Sequence, residues 1–412
     1  MRKGVLLLSV LMVGMSLLAS PGWSQAPPAA IKIGATLAVT GPFSPEWGPT
    51  FLQFMREWEK LVNEEGGVLV GDLGRKLPIQ LIIYDDESSP DKAVELYERL
   101  GAVDKVDFFL GPSTSPITLR ASTVAERMHI PMVAAEANDT GLFARNFKWF
   151  VGVLERGVDW SEFYFDMVRA SNRAGRTNFK TVAVLFSTIA HTRDVGAGAG
   201  EFARKAGLTV AAIEVVPFPT TDYSAIIAKL RAANPDLIFL GLWGGAEVTA
   251  FVRQSRELGL RPTEIHTRFV GKPLMTALGA AGVEGMTGET YNALKLHDRR
   301  TRTIFERMKI DPYDLPWAPI KYVAMDAVIK AIEAAGTLRR PVIMETLRDP
   351  NFRIETTTIS GTLRFNWNVK DGDRVLNGFG THKPFVAQFQ DGHLRVIWPE
   401  RIADAPYKPA RR

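Results

Sequence analysis

The sequence predicts an α/β protein built from two lobes, each folded around a doubly wound parallel sheet. Three observations support this prediction. The 412 residues exceed what one hydrophobic core holds, so two lobes are expected. From residue 31 onward, short apolar runs alternate with amphipathic helical patterns, and this alternation stops and restarts around Phe150–Val153. Strands separated by helices pair in parallel through right-handed crossovers, so each half forms its own sheet.

Four apolar runs of the first half are predicted strands. They are Ile31–Val39, Pro78–Tyr84, Val106–Leu110 and Ile130–Ala134. Helices are predicted over 50–64, from Asp91 to about Leu100, and between the third and fourth strands, where apolar residues recur at helical spacing.

The second half repeats this architecture and then changes character. Strands are predicted over 181–186, 209–215, 237–241 and 265–270, and helices over about 157–172, 223–233, 246–258, 316–335 and 341–348. From Gly361 onward short β segments follow, over 362–367, 385–389 and 394–398. Asp-Gly pairs at 371–372 and 391–392 are typical of tight turns between strands.

The first 26 residues are predicted to be a secretory signal peptide. Arg2 and Lys3 precede the apolar run Val5–Leu18, and Ser24–Ala26 is a small-x-small cleavage pattern. The apolar run is too short for a good membrane-spanning helix, although an uncleaved anchor is the alternative. The chain contains no cysteine, so neither a lipid-anchor site nor a disulfide is expected.

Composition and motifs argue against most chemistries. The net charge of +5 is spread along the chain without a basic cluster interleaved with aromatics, so no nucleic-acid partner is expected. Gly196–Gly200 has the wrong glycine spacing for a dinucleotide loop, and small-residue helix packing is the preferred interpretation. The six histidines show no paired metal-ligand spacing. We therefore expect no catalytic residues, no metal and no cofactor.

Two polar loops are predicted to face one crevice. Gly111–Ser115 follows the third strand and opens a helix, and Ala135–Asn138 follows the fourth strand. In an open parallel sheet both loops lie at the carboxyl edge, where ligands bind. The free N–H groups at the helix start suit a carboxylate or another small anion. Simple helix capping with a solvated turn is the alternative.

Trp47 and Trp243 each follow a strand, one in each half of the chain. A large ring at the carboxyl end of a strand can wall a ligand crevice. Local packing explains either tryptophan alone, but one in each half favours a role in binding.

The sequence resembles the periplasmic substrate-binding proteins of ABC importers of the branched-chain amino acid (Leu/Ile/Val-binding) type along nearly all of residues 31–410. The resemblance rests on several short motifs in a specific order: Ile31–Gly34 with Thr40–Pro42, Asn63–Gly67, Tyr84–Ala93, Gly111–Ser115, Asp222–Leu230, Asn234–Asp236, Val283–Met286 and Tyr322–Gly336. It implies the type I periplasmic binding protein fold, in which two lobes joined by three hinge crossings close on a ligand.

The resemblance also implies a set of ligand-binding residues. The ligand carboxylate is expected at Ser115 with Ser113 and Thr114 beside it, and the next loop adds contacts. An aromatic ring is expected from each lobe, Trp47 from the first and Trp243 from the second. His191 lies near another expected contact of the second lobe, in a loop that is longer here than in the family. The remaining members of the set are Glu136, Ala137 and Asn138.

One position departs from the family pattern. Relatives that bind amino acids often carry an acidic residue in the second lobe, and the corresponding position here is Arg268. A guanidinium repels an ammonium group and suits a carboxylate. Together with the tryptophans, Arg268 favours a small organic acid as ligand. Glu136 is the counter-evidence, since its carboxylate could pair with an amine, and Arg268 could instead neutralise Glu136 or lie in solvent.

The resemblance therefore predicts a monomeric, non-enzymatic periplasmic receptor that delivers its solute to an inner-membrane ABC permease and ATPase. A sensory receptor feeding a signalling partner and an exported α/β enzyme are the alternatives. Lobe 1 is expected over 31–149 and 292–352, and lobe 2 over 150–291 and 353–410.

Overall fold

The chain folds into two α/β lobes, and each lobe contains a mostly parallel sheet with helices packed on it. The computed structural model describes residues 28–268, 270–355 and 361–409, so the predicted signal peptide lies outside the described residues. The strands, in chain order, are β1 (Ile31–Leu37), β2 (Val68–Val70), β3 (Arg75–Leu77), β4 (Ile79–Asp85), β5 (Phe108–Leu110), β6 (Met132–Ala134), β7 (Phe150–Leu154), β8 (Thr181–Ser187), β9 (Thr209–Val216), β10 (Leu237–Gly241), β11 (Glu264–Thr267), β12 (Thr287–Thr290), β13 (Ile354–Glu355), β14 (Thr362–Leu363), β15 (Val369–Asp371), β16 (Arg374–Leu376), β17 (Phe379–His382), β18 (Phe385–Gln390) and β19 (His393–Trp398).

Fourteen α-helices lie in the described part of the chain. In order they are α1 (Ser44–Trp47), α2 (Pro49–Glu64), α3 (Pro90–Ala102), α4 (Ser115–Met128), α5 (Thr140–Phe143), α6 (Glu162–Arg173), α7 (Ala190–Lys205), α8 (Ser224–Ala233), α9 (Gly244–Glu257), α10 (Lys272–Leu278), α11 (Ala280–Val283), α12 (Arg299–Met308), α13 (Ala318–Ala335) and α14 (Arg340–Arg348).

The first sheet has six parallel strands in the order β17-β7-β6-β5-β1-β4. The second has seven in the order β19-β18-β12-β11-β10-β8-β9, with only β18 and β19 running antiparallel to their neighbours. Central strands such as β5 and β10 are buried along their whole length, because helices cover both faces of a parallel sheet. These two sheets confirm the predicted α/β fold class.

The chain passes between the two sheets three times. The crossings follow β7, β12 and β17, after Leu154, Thr290 and His382. Helices α12, α13 and α14 return to the first sheet between the second and third crossings, with α12 and α13 packed on α2. The carboxyl ends of both sheets therefore border the same connections.

Strands β7 and β17 lie in the first sheet, whereas the lobe bounds predicted from the sequence place their residues in the second lobe. Those bounds assign residues 150–154 and 353–382 to the second lobe, whereas β7 and β17 pair with each other in the first sheet, where the Gly152 N–H donates to the Gly378 carbonyl oxygen at 2.8 Å. The reason is physical: an apolar run of four or five residues shows that a strand forms, but not which edge it joins.

Other differences concern element ends. The helix expected from residue 157 begins at Glu162, after a 3₁₀ turn at Gly157–Asp159. The strand expected over 362–367 is only Thr362–Leu363. The Asp-Gly turn at 391–392 joins β18 to β19, and both residues have positive φ there, +53° and +76°.

Candidate functional site

The two polar loops of the first sheet lie against each other. The Ser115 hydroxyl oxygen accepts hydrogen bonds from the backbone N–H groups of Asn138 at 3.1 Å and Asp139 at 3.2 Å. It thereby fixes the loop after β6 to the first residue of α4. Ser113 is likewise used within the lobe, because its hydroxyl oxygen accepts from the Ala38 N–H at 3.4 Å.

Thr114 occupies the N-cap position of α4 without capping it. Its side chain makes no capping hydrogen bond, and its hydroxyl is buried with no hydrogen-bond partner among the described residues. A buried hydroxyl without a partner is costly, so Thr114 stays a predicted ligand-binding residue. The simple-capping alternative does not describe this helix start.

Glu136 has a partner within the first lobe that was not predicted from the sequence. Lys321 Nζ lies 2.7 Å from Glu136 Oε2, and both side chains are almost fully buried. Burial raises the pKa of the Glu136 carboxyl, and the Lys321 ammonium opposes that shift. Lys321 stands near the start of α13, whose neighbouring residues are apolar, and an isolated lysine in such a helix was the available signal. Glu136 is neutralised by Lys321 and not by Arg268.

His191 connects the second half to the first. It lies near the start of α7, and its Nδ1 is 2.7 Å from the Asn138 side-chain oxygen. Burial and the positive charge of Arg268 lower the pKa of His191 well below its usual value. The ring is therefore neutral, and with its proton on Nδ1 it can donate to Asn138 across the cleft.

A small cavity lies where these groups meet. Its lining residues are Glu136, Leu154, Trp160, His191, Trp243, Arg268, Trp317 and Ile320. Four of them were predicted from the sequence, and the other four were not: Leu154, Trp160, Trp317 and Ile320. Ala137 and Asn138 are buried and do not line the cavity, and the same holds for Ser113, Thr114 and Ser115. Trp47 ends α1, and its side chain is outside what the structure describes.

Aromatic rings enclose most of this cavity. Trp160 packs against His191 with ring centroids 5.0 Å apart and against Trp317 at 5.9 Å. The Arg268 guanidinium lies over the Trp243 ring at 4.7 Å and over Trp317 at 5.9 Å. A cation held between flat apolar rings can bind a small anion that has an apolar body.

Arg268 also reaches an acid of the first lobe. Its Nη2 is 3.7 Å from Glu46 Oε2, and each of the two side chains is only 3% exposed. Its Nε donates to the Leu242 carbonyl oxygen at 3.3 Å. Glu46 was not predicted from the sequence, because one acid in the loop after β1 looks like an ordinary surface residue.

A larger pocket of ≈ 690 Å³ opens outside the Glu46–Arg268 pair. It is bordered by α1, the start of α2, α10 and residues 310–317. The small cavity lined by Arg268 and Trp317 measures ≈ 10 Å³, which is room for about one water molecule. Trp317 borders both spaces, so Trp317 and the Glu46–Arg268 pair divide the cleft into an inner and an outer part.

Comparison with known proteins identifies the family. Residues 30–392 match the family model described as periplasmic binding protein. The leucine-, isoleucine-, valine-, threonine-, and alanine-binding protein of Pseudomonas aeruginosa is 26% identical over 359 residues, which cover 86% of this chain and 92% of that protein.

Solved structures share the fold at lower identity. An ABC transporter substrate-binding protein from Desulfitobacterium hafniense in complex with Leu matches with a TM-score of 0.70 and 16% identity, covering 89% of this chain and 100% of that one. A solute-binding protein of an ABC transporter from R. palustris in complex with benzoate matches with a TM-score of 0.67 and 17% identity, covering 93% and 97%.

Within the residues that the structure describes, no helix combines the length and the apolar character needed to cross a bilayer. The two parallel sheets, the three crossings between them and the match over residues 30–392 agree with one another. The chain belongs to the periplasmic binding protein family, with the type I fold and with relatives of the branched-chain amino acid-binding type.

Proposed function

We propose that this protein is the extracytoplasmic substrate-binding component of an ABC importer. It captures a small organic acid between its two lobes and delivers it to an inner-membrane permease and ATPase, without catalysing a reaction. The observation that carries this proposal is the cavity between the two sheets, which combines three tryptophans with the buried cation Arg268. A site of this kind binds and releases a solute, since it contains no nucleophile activated by a base.

Charge favours an acid over an amino acid. Glu136 already pairs with Lys321 at 2.7 Å, so its carboxylate is not free to hold an ammonium group. Arg268 repels an ammonium group and offers donors to a carboxylate. Thr114, with its buried hydroxyl at the start of α4, supplies a further polar position in the first lobe.

The ring-lined walls favour an aromatic or branched body. Trp160, Trp243 and Trp317 present flat apolar surfaces to the cavity. Among proteins of this fold, the R. palustris protein is in complex with benzoate and the D. hafniense protein with Leu. Both ligands unite a carboxylate with an apolar group, and the arginine favours the one without an ammonium group.

A thermal-shift screen tests the ligand class. We expect benzoate and related carboxylates to raise the melting temperature, because a ligand that binds only the folded state stabilises it. Benzamide, which keeps the ring but lacks the charge, is the matched control and should have little effect. Leucine giving the largest shift would contradict the organic-acid assignment, and no shift with any solute would contradict the transport role.

Arg268→Ala tests the role of the arginine. Loss of a charge-assisted hydrogen bond should weaken benzoate binding by roughly 1.5–3 kcal/mol, or about tenfold or more, measured by calorimetry. Lys272→Ala is the control. Lys272 is exposed and pairs with Asp314, so this substitution removes one positive charge outside the inner cavity. Equal affinities of Arg268→Ala and the unsubstituted protein for benzoate would exclude a contact between Arg268 and the carboxylate.

A further inference from the structure

Glu46 is buried between the lobes without the donors that a carboxylate needs. Both of its carboxyl oxygens are buried with no hydrogen-bond partner among the described residues. Arg268 Nη2 stands 3.7 Å away, which is an ion-pair distance and too long for a hydrogen bond. A carboxylate held in this way loses its hydration without full compensation.

The groups facing Glu46 do not provide a second cation. Gly244, at the start of α9, lies so close that an added Cβ would be 2.6 Å from Glu46 Oε1. Glu247 lies one turn further along the same helix and adds a like charge. On the outer side, Lys272 of α10 is engaged with Asp314 at 2.9 Å. Arg268 is therefore the one cation close to Glu46 among the described residues.

A solute carboxylate bound at Arg268 would add another negative charge to this site. Two carboxylates and one guanidinium in a desolvated cleft leave an uncompensated charge, which is expensive in a low-dielectric environment. If Glu46 is a neutral acid instead, its O–H can donate to the solute. Neighbouring carboxyl groups that share a buried site relieve repulsion in this way.

We propose that Glu46 contacts the solute as a protonated carboxylic acid, so that closure of the cleft on an organic anion takes up one proton from solvent. The proton adds to the Glu46 carboxylate, which is solvated while the lobes are apart, and it returns to solvent when the solute leaves. This inference rests on the proposed function and makes Glu46 a residue that determines which anions bind and at what pH.

The direction of the titration supports this proposal. Burial raises the pKa of the Glu46 carboxyl from 4.5 to about 7, and the neighbouring Arg268 lowers it only in part. Because the raised pKa belongs to the closed form, closure is favoured at low pH and loses stability as the pH rises towards and past 7.

Calorimetry with benzoate in two buffers of different ionisation enthalpy tests the proposal. At pH 6 the unsubstituted protein should take up close to one proton on binding, and Glu46→Gln, which is neutral at every pH, should take up none through this residue. Between pH 6 and pH 8 the affinity of the unsubstituted protein for benzoate should fall by roughly tenfold, while that of Glu46→Gln stays nearly constant. Benzoate remains ionised across this range, so the solute does not cause the change.

Glu95→Gln is the matched control, because Glu95 is exposed on α3 and undergoes the same substitution. It should keep the proton uptake of the unsubstituted protein, and thermal unfolding checks that both variants are folded. Equal proton uptake by Glu46→Gln and the unsubstituted protein would overturn the inference and leave the transport role intact. If benzoate bound neither Glu46→Gln nor the unsubstituted protein, the inference about Glu46 would also be overturned. The proposed transport function would be contradicted only if no solute of the thermal-shift screen bound.

Discussion

Several acidic side chains of this protein are buried without enough hydrogen-bond donors. Glu155 follows β7 at the first crossing between the sheets, and Glu289 is in β12, before the second. Burial raises the pKa of both carboxyls well above the usual value. Trp160 donates its indole N–H to Glu289, whereas the Glu155 oxygens have no hydrogen-bond partner among the described residues.

Glu155→Gln should therefore stabilise the protein at high pH. The folded-state pKa is raised, so the native contribution of Glu155 is fully present below its ordinary pKa and is lost as the pH rises. Glutamine mimics the neutral acid at every pH. We expect its melting temperature at pH 8 to exceed that of the unsubstituted protein by about 2–4 °C, for a gain on the order of 1 kcal/mol. At pH 4.5 the two proteins should melt together.

Differential scanning calorimetry across this pH range measures the effect. Glu95→Gln again serves as the exposed control and should follow the unsubstituted protein at every pH. A constant difference between Glu155→Gln and the unsubstituted protein from pH 4.5 to pH 8 would show that the ionisation of Glu155 does not cause it.

At the scale of elements, helix α7 shows what the glycine-rich segment does. Gly196–Gly200 lies within α7, and a Cβ at Gly198 would be 1.8 Å from the Val158 carbonyl oxygen. A Cβ at Gly196 would be 2.2 Å from the Phe186 ring. The glycines allow α7 to pack closely against the turn at the first crossing. This confirms the prediction of small-residue packing over a nucleotide loop.

Two substitutions in α7 should have opposite effects. Gly198→Ala forces the backbone at Val158 to move and should destabilise the protein by about 1–3 kcal/mol. At Gly200 a new Cβ meets the side chains of Ile213 at 3.6 Å and Arg204 at 3.7 Å, which are ordinary contacts. Gly200→Ala should be neutral or stabilise by up to about 1 kcal/mol, because alanine is a better helix former. Urea denaturation distinguishes the two, and equal midpoints would exclude close packing at Gly198.

The sequence predicted elements better than contacts between them. Strands such as β8 and β10 are apolar runs between polar turns, so local pattern was sufficient to find them. The two polar loops also lie together, because both follow neighbouring parallel strands. By contrast, Trp160 and Trp317 reach the cavity from a 3₁₀ turn and from the start of α13, where no local pattern indicates a site.

The partners of the two buried ion pairs could not be predicted from the sequence, because they are far apart along the chain. Arg268 could be read as a cleft cation from its sequence position, but its partner Glu46 lies more than two hundred residues earlier. Lys321 and Glu136 are similarly remote. The Glu46–Arg268 pair joins the two lobes, whereas the Lys321–Glu136 pair joins α13 to the loop after β6 within the first lobe. Both contacts are long-range information that neither helical nor strand periodicity contains.

At the scale of the whole molecule, we propose that the two lobes move apart to admit a solute. The inner cavity, at ≈ 10 Å³, is far smaller than the proposed organic acid, so the proposal requires the cleft to open for this solute to enter. The three crossings after Leu154, Thr290 and His382 are the connections about which the lobes can rotate. Closure without solute is disfavoured at pH 8, because it buries Glu46, whose pKa of about 7 in the closed form leaves it ionised.

We therefore expect the solute-free protein to be open at pH 8 and to become compact when benzoate binds. Small-angle X-ray scattering should show a smaller radius of gyration at saturating benzoate, because the solute supplies contacts in the closed cleft that offset the burial of Glu46 and Arg268. Trp160, Trp243 and Trp317 line that cleft, so intrinsic fluorescence should change in parallel. Benzamide, as the uncharged control, should leave both signals unchanged. An identical radius with and without bound benzoate would contradict closure by rotation of the lobes.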